Sequence, residues 1–174
     1  MSNKALASPR ARLFVFSLAA MLAAVACPLS DAQTVMTTVG VGMLPIAVAV
    51  NPVTNKIYVT NQGSSNVTVI DGTTNTASMV TAGSGAFAVV VNAVTNKIYV
   101  ANNGTRNVTV IDGTTNTTST VTAGTSPVAV TVNPMTNKIY VANGQGSGNV
   151  TAIDGASNTT TTVTAGTSPQ RPWR

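Results

Sequence analysis

Histidine and glutamate are absent from all 174 residues, and cysteine occurs once, at Cys27. Aspartate is confined to Asp31, Asp71, Asp112 and Asp154, too few carboxylates for most acid/base or metal chemistry. With a lone cysteine no disulfide staples the chain, and stability has to come from packing and strand pairing. Charged residues make up only 7% and aromatics 4%, so no charged amphipathic helix is written into the body of the chain. The apolar run at residues 13–26 is 14 residues long, short of the ~20 that a membrane span needs. What is abundant is Thr, Val, Asn, Gly and Ala, a composition that favours strands and turns. The expected fold class is all-β.

That apolar run reads as part of an export signal, opened by Lys4, Arg10 and Arg12 and followed by small residues. Two processing patterns compete. Ser30-Asp31-Ala32 before Gln33 places small residues at the first and third positions before a cut, making residues 1–32 a cleaved signal peptide. Ala24-Val25-Ala26-Cys27 has the form of a bacterial lipobox without its usual first Leu, and makes Cys27 a lipidated N-terminus. Either way the expectation is an exported chain, periplasmic, extracellular or at the cell surface. Membrane contact then comes only through the signal or a lipid on Cys27. An uncleaved anchor fits a run this short less well. Beyond residue 32, Lys56, Lys97, Arg106, Lys138, Arg171 and Arg174 face three aspartates, a net +3 against +5 for the whole chain. So weak a positive balance gives no footing for nucleic acid.

The remainder is one unit written three times. T-N-K-I-Y-V-[TA]-N occurs at residues 54–61, 95–102 and 136–143, which sets Tyr58, Tyr99 and Tyr140 at a period of 41. In the first copy, residues 45–50, 56–61, 66–70 and 77–82 read as strands, separated by turn-rich N-P-V-T-N, a Q-G-S-S loop and Asp71-Gly72. Copies two and three repeat this at 86–124 and 127–166, the last with one extra residue in the 144–148 loop. Each copy is a four-stranded meander. Its two apolar faces differ in size: Val128, Val130 and Val132 oppose Ala129 and Thr131, and Ile139 and Val141 oppose Tyr140 and Ala142. Neither face is charged, as expected for a sheet covered on both sides, and large faces set against small ones let successive copies interdigitate. The fourth strand differs, because Thr118, Thr120 and Thr122 make a polar row, and it is expected outermost.

Four strands per period, apolar inside and polar outside, match a propeller blade better than a β-solenoid, whose repeats are shorter. Y-V-T-N at 58–61 and Y-V-A-N at 99–102 and 140–143, followed by N-V-T-V-I-D-G-T-T-N-T, resemble the YVTN family of β-propeller repeat proteins over residues 36–169. The resemblance implies extracytoplasmic, mostly non-enzymatic propellers of bacteria and archaea, some in cell-surface layers, and no single activity. Blade 1 is then 45–85, blade 2 is 86–126 and blade 3 is 127–168. Residues 33–44 are expected as a leading outer strand, since 36–42 align with the fourth-strand segment 118–124. A further repeat starts at Thr167-Ser168-Pro169 and is interrupted within 169–174. Propellers usually close at about 4 to 8 blades, so a β-propeller-type array of three blades is expected as an open, incomplete arc. That pattern fits a truncated reading frame or a part-propeller that associates. Bare apolar ends invite self-association, and two chains would make a six-bladed ring.

Candidate sites recur once per blade. Lys56, Lys97 and Lys138 would form an anion-binding arc, but the meander sets Asp71, Asp112 and Asp154 beside them. Cross-strand surface pairs worth about 0.2–1 kcal/mol each are the expectation. A calcium site wants about 6–8 oxygens with several carboxylates, where these loops offer one. Each Asp is instead expected to cap its turn while the following Gly supplies a positive φ. Asn66, Asn107 and Asn149 satisfy the glycosylation sequon but begin strands, and are expected to be structural. Tyr58, Tyr99 and Tyr140 lack the basic groove that base stacking needs, so they are expected between blades with the hydroxyl near the rim. Phe87 replaces Ile46 and Val128 and is expected in the same core position. No catalytic residue, metal or cofactor is expected. Two classes of function remain: a non-catalytic binding, scaffolding or surface-structural module with an unknown ligand or partner, and a fragment of a lactonase-like or cofactor-carrying propeller enzyme. The second is disfavoured, since such enzymes draw on His or Glu.

Overall fold

The computed structural model describes residues 37–144 and 148–164, and every regular element among them is a strand. β1 (Pro45–Asn51), β2 (Lys56–Asn61), β3 (Asn66–Asp71) and β4 (Ala77–Thr81) form the first antiparallel sheet in chain order. β5 (Ala86–Asn92), β6 (Lys97–Asn102), β7 (Asn107–Asp112) and β8 (Thr118–Thr122) form the second. β9 (Pro127–Asn133), β10 (Lys138–Asn143), β11 (Asn149–Asp154) and β12 (Thr160–Thr164) form the third. The expected signal with its Cys27, residues 33–36 and the interrupted repeat at 169–174 lie outside the described residues.

Asparagine makes the meanders turn. Asn55, Asn96 and Asn137 sit at φ 51° between the first two strands of each sheet, and Asn75, Asn116 and Asn158 at 58–59° between the last two. Outside glycine, asparagine tolerates this left-handed region best, because its short amide bonds locally. The turn after β1 is tied further by Asn51, whose Oδ1 accepts from the amides of Val53 at 3.0 Å and Thr54 at 3.4 Å.

The three sheets stack face to face, with β1, β5 and β9 as successive inner neighbours and β4, β8 and β12 on the outer edge. Tyr58, Val67, Val69 and Val80 of the first blade close on Ile98, Val100 and Ile111 of the second. Tyr99, Ala101, Val108, Val110 and Val121 of the second close on Ile139, Val141 and Ile153 of the third. The Ile/Val face of each blade thus lies on the Tyr/small face of its predecessor, as the alternating patterns require. Each fully buried Ile or Val in these joints is worth about 1.5–3 kcal/mol of transfer free energy. Among the described residues the arc does not close.

Two expectations need correction. Residues 37–44 contain no strand. β4 and β8 form because β3 and β7 offer them a free edge, whereas residues 37–44 have no such strand beside them among the described residues. Only the linker end keeps its place: Gly42 N donates to Thr68 Oγ1 at 3.3 Å, as Gly83 N does to Thr109 Oγ1 and Gly124 N to Thr151 Oγ1, both at 3.2 Å. Phe87 is also not a core residue. It is half-buried, and Ile46 and Val128 are 47% and 37% exposed. The register slips by one residue at each of these positions, and such a bulge turns the extra side chain away from the stack.

Candidate functional site

The polar residues repeated in each blade converge on the joints between blades. The register sets Lys56 opposite Asp71, Lys97 opposite Asp112 and Lys138 opposite Asp154, yet only Lys138 forms the expected ion pair, at 2.7 Å. Lys56 Nζ reaches forward to the carbonyl of Gly113 in blade 2 at 2.9 Å, and Lys97 Nζ to the carbonyl of Gly155 in blade 3 at 3.1 Å. The lysines are inter-blade ties rather than cross-strand partners wherever a next blade stands in front of them. Beside each tie runs an amide pair, Asn51 Nδ2 to Asn96 Oδ1 at 2.8 Å and Asn92 Nδ2 to Asn137 Oδ1 at 2.9 Å.

The aspartates cap their turns as expected. Asp71 Oδ1 accepts from the amides of Thr73 and Thr74 at 2.8 and 3.0 Å, and Asp112 and Asp154 do the same in their blades. These amides hold the Asp71 and Asp112 carboxyls below the usual carboxylate range. Asp154 lies lower still, chiefly through the hydrogen bond from Lys138. The role given to glycine was wrong. Gly72, Gly113 and Gly155 are not in the positive-φ region, which the Asn three residues further on in each blade, Asn75, Asn116 and Asn158, occupies instead. A Cβ on Gly72 would sit 2.7 Å from the carbonyl oxygen of Asn55, so glycine is there to let two backbone segments touch.

Sequence reasoning passed over the last Asn of the Y-V-[TA]-N segment. Asn61 and Asn102 are fully buried and Asn143 nearly so. Asn61 Nδ2 donates to Asn66 Oδ1 and Thr68 Oγ1, both at 2.8 Å, and the hydroxyl of Thr68 receives the linker amide of Gly42. The same bracket recurs around Asn102 and Asn143. It ties the second strand, the third strand and the linker together, and it engages the sequon residues Asn66, Asn107 and Asn149 within the fold. A polar residue ending an otherwise apolar strand was the available signal.

Tyr58 and Tyr99 are fully buried between blades, but their hydroxyls are not at the rim: both are buried with no hydrogen-bond partner. Burial pushes both phenols above their ordinary value, with Asp112 and Asp154 of the following blades adding to the effect. Shallow clefts of about 210 and 190 Å³ open nearby. The first is lined by Lys56, Asp71 and Asn116, the second by Lys97, Asp112 and Asn158. The buried Oδ1 atoms of Asn116 and Asn158 accept no hydrogen bond. Among the described residues no group of three His, Cys, Asp or Glu is placed to hold a metal ion.

The end faces differ from the joints. Tyr140 is 39% exposed where its two counterparts are fully buried, and Val163 is 51% exposed where Val80 and Val121 are buried. On blade 1, Val48 and Val50 are 64% and 55% exposed, whereas Val89 and Val91 pack into the first joint.

Stacked four-stranded sheets with inner strands side by side define a β-propeller, present here as three blades, and comparison with solved structures agrees. The chain is similar to hydrazine synthase from Kuenenia stuttgartiensis (20% identity, TM-score 0.65, covering 74% of this chain and 38% of that one). It is also similar to a chain of the nidogen/laminin complex (15% identity, TM-score 0.58, covering 68% and 46%). U3-55K gives 10% identity and a TM-score of 0.64, covering 71% and 40%. All are propeller-type proteins, this chain spans less than half the length of each, and identities this low speak for the fold alone. No protein-family model and no curated protein matches the chain.

Proposed function

We propose that this chain is an exported, non-catalytic β-propeller repeat module of the YVTN type, which binds or scaffolds a partner in the periplasm or at the cell surface. One observation supports this most. Each charged group that recurs per blade is engaged in holding the fold, Asp in turns and Lys in inter-blade ties or the Lys138 ion pair, and two of the three recurring phenols, Tyr58 and Tyr99, lie in buried joints. Groups tied down in this way are poorly placed to abstract protons or attack a substrate. A rigid stack presenting loops at its rims is suited to binding. The basic, apolar-cored N-terminal segment and its small residues support export.

The test joins localisation to activity. The full chain with a C-terminal tag is expressed in a Gram-negative host, the cells are fractionated, and the mature N-terminus is read by mass spectrometry. A chain beginning at Gln33, or at an acylated Cys27, is the expected result, and full-length protein retained in the cytoplasm overturns export. The purified protein is then offered a panel of lactones and esters. Turnover that Asp112→Asn abolishes would overturn the non-catalytic reading.

A further inference from the structure

Each internal joint has a donor side and an acceptor side. Blade 1 gives Asn51 Nδ2 and Lys56 Nζ to Asn96 Oδ1 and the Gly113 carbonyl of blade 2. Blade 2 gives Asn92 Nδ2 and Lys97 Nζ to Asn137 Oδ1 and the Gly155 carbonyl of blade 3. The two ends of the arc each carry one unmatched half. On blade 3, Asn133 is exposed where Asn51 and Asn92 are fully buried, and its Nδ2 meets no acceptor among the described residues. Lys138, with no blade ahead of it among the described residues, folds back onto Asp154. On blade 1, Asn55 is exposed where Asn96 and Asn137 are half-buried, and Gly72 is half-buried where Gly113 and Gly155 are buried. No donor from another blade reaches Asn55 Oδ1 or the Gly72 carbonyl among the described residues.

We propose that these halves meet between molecules: blade 3 of one copy receives blade 1 of a second copy through the joint already used twice inside the chain. Asn133 Nδ2 then donates to the second copy's Asn55 Oδ1, and Lys138 leaves Asp154 for that copy's Gly72 carbonyl. Tyr140 and Ala142 cover the second copy's Ile57 and Val59 as Tyr99 and Ala101 cover Ile139 and Val141, with Val48 and Val50 at the places of Val130 and Val132. A second copy is the occupant because the donors, the acceptors and the large-on-small packing match this repeat position by position, which an unrelated surface has no reason to do. The contact is head-to-tail, and two copies joined at both ends make a closed ring of six blades.

Val48→Asp and Ala142→Arg alter residues exposed in the single chain, on opposite end faces, and leave both internal joints intact. The full chain and each variant are measured by light scattering and circular dichroism. The wild type is expected at twice the chain mass, and each variant alone as a folded monomer. An equimolar mixture of the two regains the dimer, because one variant keeps its blade 3 face and the other its blade 1 face, while the second joint sets a new carboxylate against a new guanidinium. A folded monomeric wild type overturns the proposal, as does an oligomer that either variant leaves whole. Failure of the mixture to reassemble overturns the head-to-tail pairing.

Discussion

Replacing Tyr99 with Phe removes one oxygen from a ring fully buried between blades 2 and 3. That hydroxyl has no hydrogen-bond partner, so folding strips its water without replacement. A buried group left unpaired in this way costs about 1–3 kcal/mol. The ring stays in the cluster with Ala101, Ile139 and Val141, so its packing is retained. The small gap left by the oxygen takes back part of the gain, and Tyr99→Phe is expected to stabilise by about 1 kcal/mol. Tyr58→Phe does the same in the other core cluster, and the pair adds to about 2 kcal/mol. Tyr140→Phe in the monomeric Val48→Asp background is the control, since its ring is 39% exposed in the single chain, and its effect stays within about 0.5 kcal/mol. Urea unfolding at fixed protein concentration, followed by circular dichroism, reads the outcome. With a slope of about 2 kcal/mol per molar urea, the expected gain moves the midpoint up by about 0.5 M. A Tyr99→Phe midpoint that falls by that amount would refute the reasoning, because the hydroxyl would then have a partner worth keeping.

Ile98→Ala should cost about 3 kcal/mol, three carbons at about 0.8 each plus the cavity, since Ile98 is fully buried in the first joint. Ile57→Ala, at the same register on the half-covered face of blade 1, should cost about half as much in the monomeric Ala142→Arg background, and equal losses would contradict the stacking order. Lys97→Met loses a half-buried tie to a carbonyl, about 1 kcal/mol after allowing for partial exposure. In the monomeric Val48→Asp background Lys138→Met loses an exposed ion pair worth about 0.2–1 kcal/mol that fades in roughly 1 M salt; urea midpoints with equal salt sensitivity would count against the two roles. Asp71, Asp112 and Asp154 have lowered folded-state values, so their contribution is full above the unfolded value of about 4 and drains as pH falls through the folded ones. Tyr58 and Tyr99 have raised values, so theirs is full below about 10 and is lost as pH climbs past it. Calorimetric scans should show a plateau falling at both ends, and a Tm that rises on acidification from about pH 5 to 3 would contradict the acidic arm.

Strands, their order and the pairing of large with small faces were legible because they rest on period-two alternation inside one repeat. Asp71, Asp112 and Asp154 were legible too, since an Asp at a turn bonds amides two and three residues on. What escaped depends on the next blade. The register of Lys56 and Asp71 is readable, but the Gly113 carbonyl that captures Lys56 is 57 residues away and comes near only once two sheets stack. Residues 37–42 carry a strand-like pattern, yet a strand is a relation between two segments and the second is not beside them. The Tyr58 hydroxyl was assigned to the rim on the habit of buried tyrosines to find a partner, which this joint does not provide. Positive φ was assigned to Gly72 when Asn75 carries it.

Each blade passes an amide and an ammonium forward and holds out the matching oxygens backward, so a joint does not depend on which copy follows. Duplicating or deleting one 41-residue period in frame leaves every new neighbour correctly met. Unequal recombination between the near-identical T-N-K-I-Y-V tracts therefore yields foldable arrays of altered length. Selection can then act on blade number without redesigning a single contact.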